Sequence, residues 1–167
     1  VSSSYTSKLW LAAALFAQTV FAPWLTIHGA LPSFAVIVVV LYALRVGVRG
    51  ALLLGALAGI VTDILSGTGG GWTVAYLAIA AASGAVRARF FADGIVLPSL
   101  LIAAAVLVRN TIFWIVMTAE GYPRGYGTVH LHAAIEQAIL TGLAAAAIAA
   151  LRTRFAGDAG DGLQRYA

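Results

Sequence analysis

The chain has 167 residues, 62% of them hydrophobic and only 10% charged, with a mean hydropathy of +0.97. An ordinary soluble domain is roughly one-quarter charged, so this composition excludes the common cytosolic enzyme classes and points to a protein embedded in a lipid bilayer. The absence of cysteine excludes disulfides, thiol catalysis and thiolate metal sites, while leaving the redox compartment open. A net charge of +4 and a pI near 9.9 suggest nucleic acid in a soluble protein, but arginines flanking membrane helices record orientation instead.

Each crossing of a ~30 Å hydrocarbon core needs about 20 apolar helical residues. The chain therefore holds six short spans at most and almost no extramembrane domain. The first, 9–27, is bracketed by Trp10 and Trp24 as interfacial anchors. Lys8 and the Val20/Ala22 pair imitate a cleavable leader, yet Pro23 follows and the apolar run continues, which argues for a retained span. Span 2, 31–46, opens with Pro32, where the first helical turn has no amide partner to lose. Arg45 and Arg49 bound the turn into span 3, 50–67, whose apolar helix carries Asp63 and runs into a glycine-rich loop. Span 4, 72–86, leads to Arg87 and Arg89. Span 5, 95–119, has Pro98 near its first turn and Arg109 with Asn110 inside. The loop 120–128 contains Pro123 and three glycines, which oppose helix. Span 6, 131–151, holds Glu136 and Gln137. Residues 156–167 are polar and glycine-rich and read as a flexible cytoplasmic tail after a single transmembrane domain, 1–155.

Six spans place both termini on one side. That side collects Lys8, Arg45, Arg49, Arg87, Arg89, Arg152, Arg154 and Arg165, whereas the other receives only Arg124. The positive-inside rule then makes both termini cytoplasmic and the loops around Gly67 to Gly71 and 120–128 external. The expected fold is an all-α, six-helix transmembrane bundle, and a nucleic-acid partner is set aside.

Three ionisable residues lie within the spans: Asp63, Arg109 and Glu136. Intramembrane charges are costly and usually face the bundle interior with partners. Counted at 1.5 Å per residue from the external ends, Asp63 lies about 6 Å deep, Glu136 about 9 Å and Arg109 about 15 Å. An arginine stem snorkels, so Arg109 is expected to pair with Asp63, Glu136 or both. Such a cluster serves either as structural glue between spans or as a ligand or partner site, since two acids and one base leave a surplus negative charge. Gly55, Gly59 and Asp63 fall at i, i+4 and i+8, so a smooth strip for helix packing leads to the acid. His132 and Glu136 share a face with His130 nearby, but lack a third fixed ligand, and no metal is assigned. The glycine loop has no Gly-Lys-Ser/Thr continuation. There is no GxSG serine and no second aspartate for a dyad, so no catalytic residues or cofactor are assigned.

From about Pro32 to Phe91 the chain resembles the rod-shape-determining MreD family. The match comprises Pro32, the Tyr42-Ala43-Leu44 stretch, Arg49-Gly50, Gly59-x3-Asp63, Leu65-Ser66-Gly67 and a loop ending at Gly71. Family members usually end that loop with Pro-Leu-Gly, where this chain has Thr68, Gly69, Gly70 and Gly71. The resemblance implies a non-catalytic, multi-pass subunit of the bacterial inner membrane. It would bind the single-span protein MreC and, through it, regulate the peptidoglycan polymerase and transpeptidase of side-wall elongation. It also implies a fold similar to the substrate-binding membrane subunits of energy-coupling-factor vitamin transporters, which supplies the alternative function. A homodimer is left open.

Overall fold

The computed structural model describes residues 30–86 and 95–164, together with 9, 12–14 and 16. The expected first span therefore falls mostly outside the described residues, as do Arg87, Arg89 and the question of leader cleavage. Every regular element that is described is helical. In chain order they are α1 (Phe34–Val46), α2 (Val48–Ser66), α3 (Gly71–Val86), α4 (Val96–Ala119), a 3-10 turn (Arg124–Tyr126) and α5 (Gly127–Gln164). Three stretches, Val48–Ser66, Val96–Ala119 and Gly127–Leu151, are long and apolar enough to cross a membrane; Phe34–Val46 and Gly71–Val86 are shorter apolar helices.

The Val-rich run of α1 forms a central helix. Ala35, Val36, Ile37, Val39, Val40 and Ala43 are all buried, and at about 100° per residue they cover roughly 200° of the helix, too wide an arc for a surface helix with a single apolar stripe. Gly47, at φ 79°, closes α1 and starts α2 directly, with its amide donating to the Ala43 carbonyl. Only a residue tolerant of positive φ makes so abrupt a corner. Around α1 the chain packs as two close antiparallel pairs, α2 with α3 and α4 with α5, joined through α3 against α4. Pro98 sits in the first turn of α4, where it costs no hydrogen bond.

The last helix departs from expectation at both ends. It begins at Gly127 rather than Leu131, because the 3-10 turn after Pro123 already reverses the chain. It then continues through Gln164, into the region read from sequence as a flexible tail from residue 156. No proline interrupts that region, and glycine alone weakens a helix without ending it.

Candidate functional site

The polar interior gathers at the bundle end that carries the 67–70 and 120–126 connections. Asp63 stands in the last turn of α2, 7% exposed. Gly67 follows in the left-handed conformation (φ 68°), and the Thr68 amide returns to the Asp63 carbonyl at 3.1 Å, a Schellman closure of the helix. The carboxylate itself serves the next helix. Its Oδ1 accepts from the Trp72 amide (3.1 Å) and the Thr68 hydroxyl (2.6 Å), and Oδ2 from the Thr73 amide (2.8 Å) and hydroxyl (2.6 Å).

Trp72 and Thr73 lie in the first turn of α3, whose first intrahelical bond runs from the Val74 amide to the Gly70 carbonyl. Gly70 occupies the cap position with φ 112° and has no side chain to offer. Asp63 supplies the missing capping oxygen from the preceding helix, and its charge suits the positive end of the α3 dipole.

Arg109, on α4, is 3% exposed. Its Nη1 donates to Ser33 Oγ (2.9 Å) and Tyr76 Oη (3.1 Å), and Nη2 to Gln137 Oε1 (2.6 Å). The guanidinium carbon lies 4.9 Å from the Trp72 ring centre and 5.4 Å from that of Tyr76, so two aromatic faces supply part of the stabilisation a counter-ion would otherwise give. Nε is buried without a partner. Gln137 also accepts from Asn110 Nδ2 (3.1 Å) and donates to the Leu31 carbonyl (2.9 Å). Thr141 Oγ1 accepts from the Ser33 amide at 2.9 Å. One network thus ties α4 to α1, α3 and α5.

The expected pairing of Arg109 with Asp63 or Glu136 does not occur. Four donors from its own loop and the next helix already saturate Asp63, and the guanidinium fork is turned toward Ser33 and Gln137. Trp72 links the two sites, donating its amide to Asp63 while its ring faces Arg109. Glu136 lies on α5 beside Gln137 but outside this network, half-buried, and makes no hydrogen bond or ion pair with another described residue. Successive helical residues are turned by about 100°, so neighbours in sequence face different sides.

Gly55 and Gly59 lie against α3. A Cβ on Gly59 would fall 2.4 Å from the Thr73 Cα, and one on Gly55 2.8 Å from the Ala80 Cβ. Gly84 makes the reciprocal approach, its Cβ position 2.7 Å from the Val48 nitrogen. Gly71 abuts Phe113, whereas Gly67 faces open space and is required for its backbone angle alone.

His130 stacks on Trp114 at 5.4 Å and bonds the Asn110 carbonyl, and His132 bonds the Thr128 carbonyl. No group of three or more His, Cys, Asp or Glu side chains able to hold a metal ion occurs among the described residues. An apolar cleft lies away from this site, between α1, α3 and α4, lined by Val40, Leu44, Ile79, Ala82 and Val108.

Sequence reasoning missed Ser33, Tyr76 and Thr141 as partners of the arginine network. The i, i+4 spacing of Trp72 and Tyr76 was the available signal: on a helix it places two aromatic faces on one side. Arg109→Lys is expected to lower stability by about 2 kcal/mol, because one compact ammonium cannot serve Ser33, Tyr76 and Gln137 together or stack between the rings. Thermal melting in detergent would measure this, and an unchanged midpoint would remove the network from the account.

Comparison of the chain with protein-family models, curated proteins and solved structures found no match.

Proposed function

We propose that this chain is a non-catalytic, multi-pass subunit of the bacterial inner membrane that binds a single-span MreC-type protein and thereby regulates side-wall peptidoglycan synthesis. One observation carries most weight. In the Gly59-x3-Asp63 to Gly71 segment, where the MreD resemblance is densest, the acid caps the next helix and the glycines seat it. A motif spent on building a helix corner is what a scaffold requires, and it leaves Asp63 no free oxygen for general acid or base work. The arginine distribution adds an orientation with both termini cytoplasmic and six spans in all.

Co-expression of the tagged chain with the MreC-type protein of the same genome should yield a complex in mild detergent. Recovery of the chain alone would overturn the assignment. Orientation is tested separately by reporter fusions: the connection at Arg45 to Gly50 should report cytoplasm, and a periplasmic signal there would refute the six-span arrangement.

A second function has a specific observation in its favour. Arg109 is a buried cation between two aromatic rings with only neutral acceptors, an environment suited to a small anionic ligand in a vitamin-type substrate-binding subunit. Native mass spectrometry decides between the two, since that function requires a vitamin-sized adduct on the purified protein.

A further inference from the structure

Two of the three charged residues within the expected spans have hydrogen-bond partners among the described residues. Asp63 has four donors, and Arg109 has three neutral acceptors and two aromatic rings. Glu136 has none. It is held at the level of Arg109, because its neighbour Gln137 bonds that guanidinium at 2.6 Å, so it is not a headgroup-level charge at the end of the helix.

Its direction follows from the helix. The buried face of α5 is formed by Ala134, Ala138, Thr141 and Ala145, and at about 100° per residue Glu136 lies roughly opposite that face. Along the same outward side run His132, Ile139 (56% exposed) and Leu143 (63% exposed). With Glu136 they are spaced i, i+4, i+7 and i+11, a seam one helix wide. An ionised carboxylate there is unfavourable against lipid, and no described residue supplies a donor for it. Partnership with a cation of matching depth removes that penalty, and the flanking alkyl side chains provide the packing surface.

We propose that this seam on α5, centred on Glu136, is the docking surface for the membrane helix of a partner protein carrying a lysine or arginine at the depth of Glu136. The proposal rests on the partner-binding function given above and names the surface that performs it.

The test uses the full chain co-expressed with the single-span protein. Glu136→Lys should reduce the co-purified partner by roughly tenfold or more through like-charge repulsion. Reversing the basic residue in the partner's membrane helix to Glu should restore it, and Glu136→Gln, which still hydrogen-bonds, should keep most of the complex. Because the chain contains no cysteine, cross-linking gives an independent measure that does not depend on tolerance of the charge. Ile139→Cys should form a disulfide with a cysteine on the partner helix, and Leu57→Cys, exposed on α2, should not. Undiminished capture by Glu136→Lys, or equal cross-linking at both positions, overturns the seam while leaving the function standing. An Ile139→Cys homodimer, or a cross-link within the chain to cysteines placed in 9–27, overturns it in favour of a second copy or of the chain's own first span. A wild-type chain that captures no partner refutes the function and the seam together.

Discussion

Asp63→Ala should lower the unfolding free energy by about 3 kcal/mol, the largest effect expected of any single polar substitution in this chain. The carboxylate takes two amide donors at the start of α3 and two threonine hydroxyls. Alanine would leave the amides of Trp72 and Thr73 without acceptors in an apolar setting, and Gly70, having no side chain, offers no local substitute. Loss of a helix cap costs about 1 kcal/mol on average, and hydrogen bonds to a charged group about 1.5 to 3 kcal/mol. Asp63→Asn retains one acceptor oxygen and should cost about half as much, since its amide nitrogen faces donors on the other side. Melting midpoints of the purified variants in one detergent would rank these. Equal midpoints for wild type and Asp63→Ala would show that the cap contributes nothing, and the same experiment bears on whether this acid is structural or reserved for a ligand.

Gly59→Val should be comparably damaging for a steric reason. The Cβ position lies 2.4 Å from the Thr73 Cα, 3.0 Å from its nitrogen and 3.1 Å from the Trp72 carbonyl oxygen. All three are backbone atoms, so no rotamer change relieves the clash and α2 must move away from α3. A cost of about 3 kcal/mol, at the upper end of the overpacking range, is expected. The displaced residue is the one that donates twice to Asp63, so Gly59→Val and Asp63→Ala should fall short of additivity. Gly69→Ala is the control: its Cβ position meets only Glu120 Oε2 at 3.7 Å, and its effect should stay within about 0.5 kcal/mol. If Gly59→Val melts with Gly69→Ala, the close approach of the two helices is wrong.

The sequence is informative about what each span carries and less so about which residue each side chain meets. Depth along a helix follows from counting at a fixed rise, which is why Arg109 and Glu136 are expected in the same half of the bundle. Rotation and loop geometry decide the rest. Counting puts Asp63 within reach of a snorkelling Arg109, but the αL turn at Gly67 brings Trp72 and Thr73 back over the acid, and that return is set by backbone angles that periodicity does not reveal. Ser33 illustrates the same gap. It reads as an ordinary residue after a proline, yet its hydroxyl accepts from Arg109 and its amide donates to Thr141, 108 positions away.

Composition by itself pointed to helices apolar enough to cross a membrane, because so few charges in so apolar a sequence are foreign to an ordinary soluble domain, and three of the described helices have that length and character. It also determined the glycine strip, since only residues without a side chain let two helix backbones approach so closely. The tertiary structure alone decided how the three charges are distributed, two of them buried and one on an outward side. Asp63 is satisfied by the helix it caps, Arg109 has neutral acceptors and aromatic faces around all but its Nε, and Glu136 has no partner among the described residues. Which charges meet depends on side-chain direction around each helix axis, a quantity fixed only when the helices pack.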